Sequence, residues 1–237
     1  MHVLVTRPLQ DAEVLADVLR AAGHTIVIDP LLSISFKPEV PLSPVGVQAL
    51  AVTSANGLRA LGRRSDFADW KSVPLFAVGP TTAALGRAAG FGQVYEAAGD
   101  VVSLSALLSD QATPDAGPIL HIAGTVTAGD LKGSLEAAGF QVDRVVLYEA
   151  KAADSLADET IRGLRDGAID AVLLYSRRSA DTFADLCEAA DLQMALGGLS
   201  AYCLSVNAAK PLQSLGLRAI HVAPRPNETE LLALIRP

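Results

Sequence analysis

Short runs of β-branched and aliphatic residues alternate along this chain with Ala- and Leu-rich stretches whose apolar positions recur at three- and four-residue spacing. His2-Val3-Leu4-Val5-Thr6 leads into a helical pattern over 11–22, and Thr25-Ile26-Val27-Ile28 follows. The outer pieces have the length and composition of strands, the middle one the period of a helix. Further strands are expected at about 47–53, 75–78, 93–96, 119–122, 142–149, 170–175, 200–204 and 219–222, each running into a helical or turn-rich stretch. Such alternation lays parallel strands under a cover of helices. An α/β protein follows, with more strands than one compact sheet holds.

An internal repeat accounts for the surplus. Val3-Leu4-Val5-Thr6-Arg7 with its helix lies over Ile119-Leu120-His121-Ile122-Ala123 at an offset of 116, and Ala51-Val52-Thr53-Ser54 over Leu173-Leu174-Tyr175-Ser176 at 122. Ala77 then lies over Cys203 at 126, and Asp100 over Asn227 at 127. Offsets that only grow indicate two copies with different loop lengths. Asp100 and Asn227 suit helix N-caps, because their side chains accept from unpaired backbone donors. Gly23, Gly90, Gly139 and Gly216 stand where helices end and a left-handed residue is wanted. Leu32-Ser33-Ile34-Ser35-Phe36 and Val145-Val146-Leu147-Tyr148-Glu149 read as extended segments that could cross between two lobes.

Composition narrows the class. With 237 residues, half of them hydrophobic, the chain can bury a substantial core. Its 19 Lys and Arg against 26 Asp and Glu give a net charge of −7, which disfavours non-specific nucleic-acid or anionic-membrane partners. The first residues enter a strand pattern without a signal-peptide arrangement, and charged or turn residues interrupt every apolar stretch, so a soluble cytoplasmic protein is expected. Cys187 and Cys203 lack metal-site or redox spacing and read as packing residues. His2, His24, His121 and His221 have no carboxylate or nucleophile motif beside them and read as structural.

Dinucleotide, P-loop and zinc-hydrolase motifs are absent from the sequence. What recurs is a strand that runs into small hydroxyl residues at a helix start: Val5-Thr6-Arg7-Pro8, Val52-Thr53-Ser54-Ala55-Asn56-Gly57, Val78-Gly79-Pro80-Thr81-Thr82-Ala83 and Leu174-Tyr175-Ser176-Arg177. In open parallel sheets ligands bind at the carboxyl ends of strands, where helix N-termini offer unpaired N–H groups to anions. Capping alone explains Thr6, Ser54 and Ser176 one by one; four such loops together point to a site for an anionic ligand. Arg7 could fork onto a carboxylate. Tyr148 is a phenol that can donate a proton while neutral near pH 7.

Val5-Thr6-Arg7-Pro8, Thr53-Ser54-Ala55-Asn56-Gly57, Ala77-Val78-Gly79-Pro80-Thr81-Thr82-Ala83, Leu147-Tyr148-Glu149 and Tyr175-Ser176, in this order across the chain, resemble the uroporphyrinogen-III synthase family. The resemblance implies two flavodoxin-like α/β lobes with parallel sheets joined by a two-stranded linker, the first lobe discontinuous. Here that means 1–34 with 152–237, an inserted lobe over 37–149, and crossings near 32–37 and 145–152. It further implies a monomeric lyase with its site in the cleft between lobes, needing no metal or cofactor. This enzyme cyclises the linear tetrapyrrole hydroxymethylbilane with inversion of its last ring and loss of water. By similarity Tyr148 assists departure of the hydroxyl. Arg7, Thr53, Ser54, Asn56, Gly79, Thr81, Thr82 and Ser176 bind the substrate. Ser205-Val206-Asn207-Ala208-Ala209 departs from the family's Gly-x-x-Thr-Ala pattern, and Gly124-Thr125-Val126-Thr127 lacks an arginine after its glycine. The alternative is a non-catalytic bilobal module that binds an anion or metabolite.

Overall fold

A computed structural model describes residues 1–126 and 129–235. Among them the strands are β1 (His2–Val5), β2 (Thr25–Ile28), β3 (Leu32–Phe36), β4 (Ala49–Val52), β5 (Leu75–Ala77), β6 (Val94–Glu96), β7 (Ile119–Gly124), β8 (Val142–Ala152), β9 (Ala171–Leu174), β10 (Ser200–Cys203) and β11 (Ala219–Val222). The helices are α1 (Leu9–Ala21), α2 (Ala55–Gly62), α3 (Phe67–Trp70), α4 (Pro80–Ala88), α5 (Val101–Gln111), α6 (Leu131–Ala137), α7 (Asp158–Arg165), α8 (Arg177–Ala189), α9 (Val206–Ala209) and α10 (Glu228–Leu232). None of these helices is long and apolar enough to cross a membrane.

Contacts divide the chain into two compact units, one of Met1–Ser33 with Lys151–Pro237 and one of Ile34–Ala150. The first unit holds a five-stranded sheet in the order β11-β10-β9-β1-β2, parallel throughout. In the second the order is β3-β8-β7-β4-β5-β6, parallel from β8 to β6. Lys37 N donates to Leu147 O and Ala153 N to Leu31 O, so β3 and β8 run antiparallel, and both strands pass from one unit into the other.

Strands that the sequence offsets equate hold equivalent places in the two sheets. β2-β1-β9-β10-β11 corresponds to β8-β7-β4-β5-β6, each with the order 2-1-3-4-5 of a doubly wound sheet. Each sequence copy therefore gives its first two strands to one unit and its last three to the other. Gly23, Gly90, Gly139 and Gly216 all have positive φ, between 65° and 89°. Gly216 ends a turn after the short 3-10 segment Lys210–Leu212 instead of an α-helix.

Both faces of each sheet are packed, which is why the strands read as continuous apolar runs instead of alternating ones. In the first unit Leu4, Val172 and Leu174 meet Phe183 and Leu186 of α8 on one face, while Val3, Val5 and Leu173 meet Leu15 and Leu19 of α1 on the other. In the second, Leu50, Val52 and Ile122 meet Leu58 and Leu61 of α2, and Ala51 and Ile119 meet Leu104 and Leu108 of α5. Each fully buried Leu or Phe contributes on the order of 2 kcal/mol. Gly57 lets α2 start close upon β7, since a Cβ there would stand 3.2 Å from Ile122 O.

Cys187 and Cys203 are free and buried in the first unit's core, where burial pushes both thiols up to about 12. Only the thiolate attacks disulfides. Titration with an aromatic disulfide at pH 8 is therefore expected to release almost no chromophore from native protein and two equivalents after denaturation in guanidinium; rapid native reaction would contradict this packing.

Candidate active site

In a doubly wound sheet the ligand end lies where the strand order reverses, which here is between β1 and β9 in the first unit and between β7 and β4 in the second. The loops singled out from sequence lie at these two places and one strand further along.

In the first unit Thr6 does not cap a helix. Its Oγ1 donates to Leu173 O at 2.6 Å and so ties β1 to β9, while α1 begins after Pro8 without a side-chain cap. Arg7 has partners already: Nη2 meets Asp11 Oδ2 at 3.1 Å, Nη1 meets Glu228 at the start of α10, and the guanidinium lies 4.4 Å from the Tyr175 ring centroid. Two carboxylates on one guanidinium leave a surplus of negative charge, so a ligand carboxylate would have to displace Glu228, the more exposed of the pair. Burial, with Glu228's charge second, pushes the Tyr175 phenol far above its ordinary range, and it stays neutral. Ser176 caps α8 in a reciprocal box with Ser179. Ser205 caps the short α9, and in this divergent loop the buried Ala208 and Ala209 supply no hydroxyl.

In the second unit adjacent hydroxyls divide the work. Ser54 Oγ accepts from Asn56 N at 3.2 Å and caps α2, and Asn56 Oδ1 accepts from Arg59 Nη1. Thr53 Oγ1 instead meets His121 Nε2, on β7, at 3.3 Å. Gly79 precedes α4 and has no side chain to cap it, and a Cβ there would approach Gly99 Cα to 3.3 Å. Thr81 is exposed and Thr82 buried in the first turn of α4, at the end of β5.

Tyr148 is 8 % exposed and packs beside Leu147, Leu50 and Val52. Its ring lies over Gly124, where the β7–β8 register slips between Ala123 and Gly124. Thr125 N donates to Tyr148 O at 3.1 Å, and Arg144 of β8 donates through Nη2 to Gly124 O at 2.6 Å and Thr125 O at 3.2 Å. A guanidinium thus reaches this loop from a neighbouring strand. Thr127, the last residue of the divergent segment, lies outside the described residues.

The second unit accordingly gathers Thr53, Ser54 and Tyr148 around its switch point, with Gly79, Thr81 and Thr82 on the next loop; the first gathers Arg7 and Ser176 around its own. His121 and Arg144 were not anticipated as site residues. One signal for His121 was available: the copy that carries Val5 shows that this strand position suits an aliphatic side chain.

Doubly wound sheets with hydroxyl-bearing loops at their switch points define an open α/β protein, a class in which ligands bind at the carboxyl ends of the strands. Residues 13–233 match the family model described as uroporphyrinogen-III synthase HemD, and the chain belongs to the uroporphyrinogen-III synthase family. Among solved structures it is similar to uroporphyrinogen-III synthetase from Helicobacter pylori, with 18 % identity over 99 % of this chain and 98 % of that one and a TM-score of 0.66. It is also similar to a mutant uroporphyrinogen III synthase from the extremely thermophilic bacterium Thermus thermophilus, with 18 % identity, 99 % and 97 % of the chains covered and a TM-score of 0.54. At such identities these likenesses concern the fold. No curated protein matches the sequence.

Proposed function

We propose that the chain is a lyase that cyclises hydroxymethylbilane to uroporphyrinogen III, inverting the last pyrrole ring with loss of water. Family membership over 13–233 carries this reading. A closed-shell cyclisation with no change of oxidation state asks for no redox group. The hydroxyl leaves as water once it takes a proton, which creates an azafulvene-type cation at the far methylene. The substituted carbon of the terminal ring attacks this cation and forms a spiro intermediate. Fragmentation and reclosure at the other α-carbon invert the ring, and the proton lost on rearomatisation balances the one supplied at the start.

Without a catalyst the chain also closes, but uninverted, so holding one reactive geometry is the protein's principal task. Tyr148 is our candidate for the proton donor, supported by its place on β8 with its ring over Gly124, the last residue of β7. Backbone N–H groups at the starts of α2, α4 and α8 suit the substrate's carboxylates, because helix N-termini carry partial positive charge. Thr53, Ser54, Asn56, Gly79, Thr81, Thr82 and Ser176 border these starts, and Arg7 joins them if Glu228 yields. We place this chemistry in the cytoplasm, in a monomer; the net charge of −7 supports the absence of nucleic-acid and anionic-membrane partners.

Hydroxymethylbilane generated in place by a coupled reaction tests the proposal. Wild-type protein should consume it well above the spontaneous rate, and Tyr148→Phe should lower kcat by about a hundredfold, as loss of a general acid does. A loss smaller than about threefold would remove Tyr148 as the donor and leave positioning as the mechanism.

A further inference from the structure

His121 puts a polar ring where the fold elsewhere accepts an aliphatic one. The sequence copies equate His121 with Val5 and Thr53 with Tyr175. Strand register agrees, for Leu173 pairs with Val5 as Ala51 pairs with His121. Val5 is wholly buried. Packing here thus needs no imidazole, and burying one is costly unless its nitrogens are paired. Yet His121 is 2 % exposed, Nε2 meets Thr53 Oγ1 at 3.3 Å, and Nδ1 has no partner among the described residues.

The unpartnered nitrogen gives the hydrogen bond its direction. Burial first, and the charge of Arg144 second, hold the ring's pKa at about 4, so it carries one N–H at neutral pH. Buried N–H groups left unpaired are rarer than unpaired acceptors. The proton accordingly belongs on Nε2, a tautomer assigned from the hydrogen-bond pattern. Thr53 Oγ1 then accepts from His121 and keeps its own proton for another acceptor. Since Ser54 caps α2, the Thr53 oxygen is not needed as an acceptor for the helix N–H groups.

We propose that His121 is a positioning residue: it donates from Nε2 to Thr53 Oγ1 and turns the threonine proton toward the ligand side, making Thr53 a hydrogen-bond donor to a carboxylate of the substrate. This rests on the reading of the chain as a uroporphyrinogen-III synthase. It assigns a direction and a support to a hydroxyl that the sequence marks only as one of a set.

Steady-state kinetics with hydroxymethylbilane on His121→Val, His121→Gln, Thr53→Val and the His121→Val/Thr53→Val double variant provide the test, with melting curves for each. Valine is the residue the sister copy tolerates, and glutamine keeps an N–H donor. Loss of one hydrogen bond to a charged group should raise KM about tenfold to a hundredfold in His121→Val and in Thr53→Val, with kcat changed less than about twofold. The double variant should be no worse than either single one, and His121→Gln should recover most of the affinity. Nitrogen NMR of the ring should show a protonated Nε2 and a bare Nδ1. An unchanged KM in a folded His121→Val, multiplicative effects in the double variant, or a protonated Nδ1 would each overturn the inference. Wild-type protein that forms no uroporphyrinogen III would overturn the reading beneath it instead.

Discussion

With Tyr148 as the proposed proton donor, Gly124→Ala is expected to lower kcat by about tenfold or more, because a displacement on the order of 1 Å at a reacting group is that expensive. A Cβ built on Gly124 lies 2.8 Å from Cε2 and Cζ of Tyr148 and 3.1 Å from its hydroxyl oxygen. These atoms are the body of a buried ring packed beside Leu50, Val52 and Leu147, not the loose end of a flexible chain, so the ring itself must move. The glycine's φ is not in the left-handed region, and the cost is steric. Overpacking of this kind should also remove about 1–3 kcal/mol of stability. Steady-state kinetics beside Tyr148→Phe separate the two contributions: the Gly124→Ala/Tyr148→Phe double variant should turn over no more slowly than Tyr148→Phe alone. Full activity in Gly124→Ala would show that the position of the phenol is not critical.

Arg64→Ala should destabilise the second unit by about 2 kcal/mol, the range for hydrogen bonds to a charged group in a partly buried pair. The side chain is 8 % exposed and sits just after α2. Its Nε and Nη2 each meet an Asp66 carboxylate oxygen at 2.8 Å, and Nη1 donates to the carbonyls of Pro38 and Val40 in the segment that follows β3. Removing the guanidinium leaves these acceptors without their donor and releases that segment from α2. The hydrogen bonds from Arg64 hold the Asp66 carboxyl below its usual range. A depressed carboxyl stabilises the fold fully above its unfolded pKa of about 3.9, and this stabilisation drains away as pH falls through the lower folded value. Urea unfolding at pH 7 should therefore show the full difference between wild type and Arg64→Ala, and at about pH 3 a smaller one. A difference below about 1 kcal/mol at pH 7 would mean the arginine behaves as an exposed surface pair.

Local chemistry was the most legible part of the sequence. Strand and helix alternation follows from apolar spacing, Asp100, Asn227, Ser54 and Ser176 cap helices as their residue types suggest, and the four glycines adopt positive φ because a left-handed turn after an element excludes most side chains. The repeat offsets were informative because equivalent strands kept their order in the two sheets. Long-range partners were harder to see. Glu228 is distant in sequence from Arg7, and only the assembled sheet brings α10 beside the loop after β1. Thr6 reads as a cap from its place before a helix, yet β9 offers it the carbonyl of Leu173 first. Adjacent hydroxyls at Thr53 and Ser54 look alike in sequence, and strand geometry sends them to different partners, one to His121 and the other to the backbone of α2.

Product analysis tests the central claim most directly: hydroxymethylbilane generated in place, incubated with wild-type protein, and the type I and type III uroporphyrinogens separated after oxidation. Predominantly type III isomer at a rate above the spontaneous reaction is the predicted result. Folded protein that leaves only background type I would contradict it, and would favour a bilobal module that binds an anion without turning it over.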